Sequence, residues 1–313
     1  MLTFANRASA VLCNFLKSQK TSKPFILPAN VCPVVPLSFL KAGVAFEFVD
    51  IDKSHALDTT EALVKLYTGN YAGVLFVHAY GHKYDNKSFY AQVKSIDNSL
   101  RIIDDCCLCE PDTSDQLEDN IDLQLFSTGY AKYIELSYGG YGKLRFSLGG
   151  ADFEYQYNDE VEVKQQQYIK RCFKEGTRYE LDPDIEWLDG SPLKMTPEEY
   201  FGIINAKRDK VKHDKELINK IYRENLPKSI QMGDDFQNWR FMLLVEDQEK
   251  VLSAIFNAGL FAGTNFPSVS YMFKGSSAPV TENESKHIVN LFNDFRINEE
   301  QALKICQIIN SII

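Results

Sequence analysis

The first half of this chain alternates short, unbroken apolar runs with amphipathic stretches, and that alternation constrains the fold more than any other feature. The apolar runs cover 24–27 (PFIL), 44–49 (VAFEFV), 73–78 (GVLFVH), 100–103 (LRII) and 123–127 (LQLFS). Between them, 8–20, 31–42, 59–67 and 88–96 carry apolar residues at helical spacing, and Gly43 stands where a helix-ending glycine belongs. Strands apolar on both faces, separated by helices, predict a parallel sheet covered on each side. Ligands of such sheets collect at the carboxyl ends of the strands. The polar residues there are His78, Asp104, Asp105 and Ser127.

The second half reads differently. Residues 140–147 (GYGKLRFS) suggest a hairpin, and 152–176 a polar, partly helical stretch. A long amphipathic helix is predicted over 197–225, with Thr196 as its N-cap. A strand over 240–245 and helices over 248–259, 284–292 and 299–313 complete a smaller α+β lobe. The expected organisation is a large α/β domain over 1–195, followed by the long helix and small domain over 196–313.

Composition narrows the function. The 313 residues include 44% hydrophobic and 25% charged, as in ordinary globular proteins, and the formal net charge is −9. An acidic surface argues against nucleic acid or an anionic membrane as the partner. The seven cysteines are an odd number, and Cys106, Cys107 and Cys109 crowd together, which suggests free thiols of a reducing cytosol. Without a second Cys/His pair in view, that cluster is read as strand-end thiols and no metal is expected. The N-terminus (MLTFANR) has no apolar signal region, and no apolar run approaches the roughly 20 residues that span a bilayer. A cytoplasmic location is expected.

The chemistry is concentrated in Phe126-Ser127-Thr128-Gly129-Tyr130-Ala131-Lys132, followed by Ser137-Tyr138-Gly139-Gly140, and in Ile102-Ile103-Asp104-Asp105 upstream. A strand ends at a serine, a lysine follows on the next loop, and an acidic pair ends a neighbouring strand. Pyridoxal phosphate asks for such a set: a lysine amine for its aldehyde, and a carboxylate that keeps its pyridine nitrogen protonated. It also asks for hydroxyls and backbone N–H groups around its phosphate, favoured at a helix N-terminus, and a group packed on the ring.

The order of motifs resembles the DegT/DnrJ/StrS family of pyridoxal-phosphate sugar aminotransferases. Residues 26–52 (ILPANVCPVVPLSFLKAGVAFEFVDID) resemble that family's strand, helix and "FVDID" run. Residues 75–85 (LFVHAYGHKYD) resemble its "PVH.yG…D" turn, and 102–107 (IIDDCC) its "viEDaa". Residues 125–140 (LFSTGYAKYIELSYGG) resemble its lysine loop, and Lys194-Met195-Thr196 its "RMS" before the long helix. The resemblance extends over nearly the whole chain. It implies a fold-type-I transferase, with a three-layer α/β/α large domain and a small C-terminal α+β domain.

By position, the resemblance implies that Lys132 binds the cofactor aldehyde, that Asp105 faces the pyridine nitrogen, and that Ser127 contacts the phosphate. Asn6, Arg7 and Ala8 fall at the family's phosphate-binding turn, and Cys32 stands where an aromatic residue commonly stacks on the ring. Weaker substrate candidates are His78, Tyr130 and Tyr138. The sequence departs from the family at Cys32, at Leu108, at Tyr138 and near Pro192, where a partner subunit usually sends an asparagine to the phosphate. The family's segment before the turn matched by Asn6-Arg7-Ala8-Ser9 usually helps form the dimer and the substrate mouth, and the expectation is of a chain without it. The implied activity is transfer of an amino group from glutamate to a nucleotide-linked keto-sugar. Its setting would be surface-polysaccharide or secondary-metabolite synthesis, by a homodimer with its active site at the interface. One alternative is a diverged relative with other chemistry or a binding role. Another is an unrelated doubly wound nucleotide binder, but no G-x-G-x-x-G or Walker A run is present.

Overall fold

The computed structural model describes residues 1–148, 158–180, 186–273 and 277–313. Its elements, in order, are β1 (Leu2–Ala5), α1 (Ala8–Gln19), β2 (Phe25–Pro28), α2 (Val34–Ala42), β3 (Phe46–Val49), α3 (Thr59–Leu66), β4 (Gly73–Val77), α4 (Lys87–Ile96), β5 (Arg101–Asp105), β6 (Leu123–Ser127) and β7 (Gly140–Leu144). After them come α5 (Asp159–Glu175), α6 (Pro197–Asn225), β8 (Phe241–Leu244), α7 (Gln248–Asn257), β9 (Ala262–Gly263), α8 (Pro279–Glu284), β10 (Ile288–Leu291) and α9 (Glu299–Asn310).

The first seven strands form one sheet in the order β1-β7-β6-β5-β4-β2-β3. Strand β7 runs antiparallel to both of its neighbours, and the pairs from β6 across to β3 are parallel. The alternating pleat sorts side chains between two cores. Leu27, Leu75, Ile103 and Leu125 join Leu12 and Phe15 of α1 on one face. Ile26, Val74, Phe76 and Ile102 join Ala62, Phe89 and Val93 of α3 and α4 on the other.

Helix α6 starts with a capping box, in which Thr196 and Glu199 each satisfy the other's backbone N–H. It leads to a second sheet, β8-β10-β9, packed with α7 and α9 around Phe241, Leu243, Val289 and Ile305. Among the described residues, no helix is long and apolar enough to cross a membrane. All seven cysteines are free thiols.

Two predictions are corrected. The expected hairpin over 140–147 is a single strand, β7, and β1, which was not foreseen, pairs with it. A Cβ on Gly140 would lie 2.2 Å from Ala8 N, so the glycines that suggested a turn instead let α1 press onto the sheet. The expected helix over 284–292 is the end of α8 followed by β10, the fully buried central strand of the small sheet. A run as short as Ile288-Val289-Asn290-Leu291 has no period that separates a buried strand from a helix. Of the polar stretch over 152–176, residues 152–157 lie outside the described residues, and α5 begins at Asp159.

Candidate active site

At the carboxyl edge of the large sheet lies a cavity of about 440 Å³. Its floor is made by Val77 of β4, Asp105 of β5, and Leu125 and Ser127 of β6. Arg7, Ala8 and Ser9 at the start of α1 form one wall, and Cys32 and Val34 at the start of α2 form another.

Lys132 reaches this cavity from the loop that joins β6 to β7. The loop is tied down on several sides. Thr128 N donates to Gly139 O (3.0 Å) and Leu136 N donates to Thr128 O (2.8 Å), closing the loop on itself. Thr128 Oγ1 donates to Tyr138 O (2.6 Å) and shares a 2.5 Å hydrogen bond with the buried Tyr200 hydroxyl of α6. Ala131, next to the lysine, holds a left-handed φ of 57°. That backbone is unfavourable for a residue with a Cβ, and it persists only where its surroundings over-determine it. Here Ala131 N donates to Glu135 Oε2 (2.7 Å), Trp239 Nε1 donates to Ala131 O (2.7 Å), and Arg296 pairs with Glu135. Gly139 closes the loop at φ 90°, where a Cβ would lie 2.4 Å from the Tyr200 hydroxyl.

Asp105 is buried, and its Oδ1 accepts the Cys107 backbone N–H at 2.9 Å. Burial, joined by the Asp105 carboxylate, pushes the Cys107 thiol well above its ordinary range, while the Lys132 ammonium pulls the other way. Burial likewise raises the Cys32 thiol, with Lys132 opposing and Asp105 adding. The amine and the carboxylate therefore act on the same two thiols within one cavity. An anion-binding end lies beside them. Helix α1 opens at Arg7 with no side-chain cap; Ala10 N donates back to Arg7 O (3.1 Å), and among the described residues the Ala8 and Ser9 N–H groups are left for another acceptor. Ser127 Oγ accepts from Gly129 N (3.2 Å), and Arg7 Nη1 donates to Ser137 O (2.8 Å), which anchors the guanidinium at the cavity.

These residues fit the cofactor their pattern suggested. The donor set includes an amine, a buried carboxylate, a hydroxyl, a guanidinium and an uncapped helix start. Two buried polar atoms of cavity-lining residues, Trp187 Nε1 and Gln165 Oε1, have no hydrogen-bond partner among the described residues. Unpaired buried groups are costly in a finished fold, so these two suit a ligand.

Lys132, Asp105, Ser127, Arg7, Ala8, Cys32 and Tyr130 all line the cavity, with the exposed Tyr130 at its rim under the Arg296 guanidinium. Asn6 stands behind it: its amide donates to the Asp189 carboxylate, and it is Asp189 that lines the cavity. Two of the weaker substrate candidates lie elsewhere. His78 opens onto a different cavity on the far face of the sheet, because the pleat turns it away once Val77 faces the near side. Tyr138 packs beside Tyr200 rather than lining the cavity.

Leu108 and Phe266 also line the near cavity, and Trp239 stacks behind Phe266 at 5.8 Å and 10°. Sequence reasoning missed the wall formed by Gln165, Gln166 and Ile169 of α5 together with Trp187. The available signals were the glutamine run 165–167 inside a helical stretch and a tryptophan in polar surroundings.

The sequence matches no protein-family model and no curated protein. Solved structures are similar along nearly its whole length. A putative PLP-dependent aminotransferase from Bacillus cereus aligns with TM-score 0.71 at 18% identity, over 99% of this chain and 86% of that one. A putative sugar aminotransferase from Streptococcus pneumoniae, in its PMP form, aligns with TM-score 0.72 at 13% identity, over 99% and 87%. An aminotransferase of pseudoaminic acid biosynthesis from Helicobacter pylori aligns with TM-score 0.70 at 14% identity, over 99% and 86%. At these identities the likeness establishes the fold: the chain has the α/β architecture of fold-type-I PLP-dependent transferases.

Proposed function

We propose that this protein is a PLP-dependent aminotransferase that moves an amino group from glutamate to a nucleotide-linked keto-sugar. The observation that carries the reading is the convergence of Lys132, Asp105, Ser127 and the uncapped start of α1 on one cavity at the carboxyl edge of the sheet. Solved proteins of the same fold include sugar aminotransferases, one of them studied with its TDP-sugar product, which favours a nucleotide-linked substrate here too. The order of sequence motifs supports placement in the DegT/DnrJ/StrS family, and with it a homodimer working in the cytoplasm. The large cofactor domain would comprise 1–195 and the connecting helix and small domain 196–313.

Pyridoxal phosphate, when bound, supplies an electron sink that makes a proton beside the substrate nitrogen removable. The chain would supply everything else. Lys132 Nζ would hold the cofactor's aldehyde carbon and, once displaced by an incoming amine, take and return the proton at the substrate carbon. The Asp105 carboxylate would keep the proton on the ring nitrogen. Ser127, Arg7 and the first turn of α1 would hold the phosphate by charge-assisted hydrogen bonds. Cys32 and Leu108 would cover the ring where the family more often places aromatic and polar groups. Trp187 and Gln165 would meet polar atoms of the bound molecules.

The test is spectroscopic. Protein reconstituted with the cofactor should absorb near ~420 nm, as lysine-bound pyridoxal phosphate generally does, and glutamate should bleach that band. A protein that cannot be made to absorb there is not this enzyme. A band that glutamate leaves unchanged would assign the cavity to other chemistry on the same cofactor.

A further inference from the structure

We propose that His78, Asp104 and Cys106 form a binding site for one divalent transition-metal ion, of the zinc type, on the face of the sheet opposite the Lys132 cavity. In the sequence, Cys106-Cys107-Leu108-Cys109 has no second ligand pair nearby. The fold supplies the other ligands. The pleat sends Asp105 and Cys107 to the near cavity and Asp104 and Cys106 to the far one, where His78 arrives from the end of β4.

The geometry suits a small ion. His78 Nε2 lies 2.9 Å from Asp104 Oδ1, Cys106 Sγ lies 3.3 Å from Asp104 Oδ2, and the ligand atoms of all three residues lie within 4.8 Å of one another. In a tetrahedral zinc site with bonds of about 2.0 Å to nitrogen or oxygen and 2.3 Å to sulfur, neighbouring ligand atoms stand roughly 3.3–3.7 Å apart. Adjustments of about an ångström would convert one arrangement into the other. Two contacts meet His78 Nδ1 at 3.1 Å: the His82 carbonyl, and the Tyr84 N–H. In the metal-free chain the Tyr84 N–H donates to Nδ1 and Nε2 faces Asp104. An ion on Nε2 would move the ring proton to Nδ1, where the His82 carbonyl stands ready to accept it in place of the Tyr84 contact, the usual outer support of a ligating histidine.

All three residues are buried, and their nitrogen, oxygen and sulfur donor set selects zinc-like ions over magnesium or calcium.

Entry and a fourth ligand are also provided. A polar cavity of about 400 Å³, lined among others by Lys83, Asp85, Tyr90 and Gln124, opens onto the three residues. A water from that cavity can fill the fourth position. So can Gln124, whose amide donates to Asp104 Oδ2 at 3.0 Å and, turned over, would present its oxygen. A bound ion would fix the end of β4 to the end of β5, next to Asp105.

The site stands independently of the aminotransferase reading, and so does its test. Titration of the metal-free protein with Co²⁺ should give a sulfur-to-cobalt absorption band that saturates at one equivalent. Cys106→Ser and His78→Gln should each lose the band or weaken binding by at least tenfold. Cys107→Ser and Lys132→Ala, which alter the opposite face, should keep it. A colourless titration, or a band that survives Cys106→Ser, would overturn the proposal. Should Cys106→Ser fail to fold, X-ray absorption of the zinc-loaded wild type decides. One sulfur among nitrogen and oxygen neighbours supports the site, and a shell without sulfur rules it out.

Discussion

The two sides of the sheet at the end of β5 draw on the same four-residue run, Asp104-Asp105-Cys106-Cys107, yet they are finished differently. On the far face Asp104 is saturated. It accepts from His78, Tyr90, Gln124 and Cys106, and the pairing with His78 keeps its carboxyl below the usual range despite burial. On the near face α1 starts without a cap, and Trp187 Nε1 and Gln165 Oε1 lack partners among the described residues. One face pairs its polar groups within the chain, so that an ion there would have to displace existing hydrogen bonds, while the other leaves polar groups open for something bound. Unpaired buried groups are tolerated where a ligand restores the bonds, so the contrast marks which face does the chemistry.

The contrast can be tested from its strongest point down. Asp105→Asn should lower the rate of any amino transfer by on the order of 10²–10⁴-fold, the usual weight of a positioned proton-holding group, with the fold intact by circular dichroism. Asp104→Asn should act mainly on stability. Equal kinetic losses at both positions would erase the distinction. Gly139→Ala should come next. Its Cβ would collide with Tyr200 at a backbone φ that disfavours side chains, so a stability loss of about 2–4 kcal/mol is expected by thermal melting, along with a displaced Lys132 loop.

Lys215 of α6 is an internally satisfied group of another kind. Its Nζ donates to Trp239 O and Asn293 Oδ1, both at 2.8 Å, and burial pulls its pKa down to about 8. The unfolded chain binds this proton up to about pH 10.4, so folding carries a penalty below pH 8 that is relieved as pH rises from about 8 to 10.4. Wild-type stability relative to Lys215→Met should therefore rise across that window by on the order of 3 kcal/mol, measured by denaturant titration at each pH. A flat difference would show that the amine is not held in the way its contacts suggest. The smallest effect is the most specific. Trp187→Phe keeps an aromatic ring but removes an N–H that lacks a partner among the described residues. It should leave stability nearly unchanged and weaken cofactor or substrate by about three- to tenfold in a binding titration.

Much of this was legible in the sequence. Five of the large sheet's strands announced themselves as apolar runs, and Lys132, Asp105 and Ser127, picked out by the family resemblance, line one cavity. What the sequence obscured has physical causes. Strand β7 looked like a turn because Gly140 and Gly142 are small where α1 and neighbouring side chains press close. Strand β10 looked helical because four buried residues carry too little periodicity. His78 ends a strand, which brings it to the sheet edge, but being at a strand's end does not decide which face a side chain takes. Counting alternation from Val77 would have placed it with Asp104. The α5 wall stayed hidden because its cavity side is polar, so no apolar stripe singled it out.

The account rests on Lys132 as the residue that binds the cofactor. The most direct test is borohydride reduction of the protein after incubation with pyridoxal phosphate, followed by peptide mass mapping. The account predicts one phosphopyridoxyl group per chain on the peptide carrying Lys132, and none in Lys132→Ala. Labelling spread over surface lysines, or retained in Lys132→Ala, would contradict it.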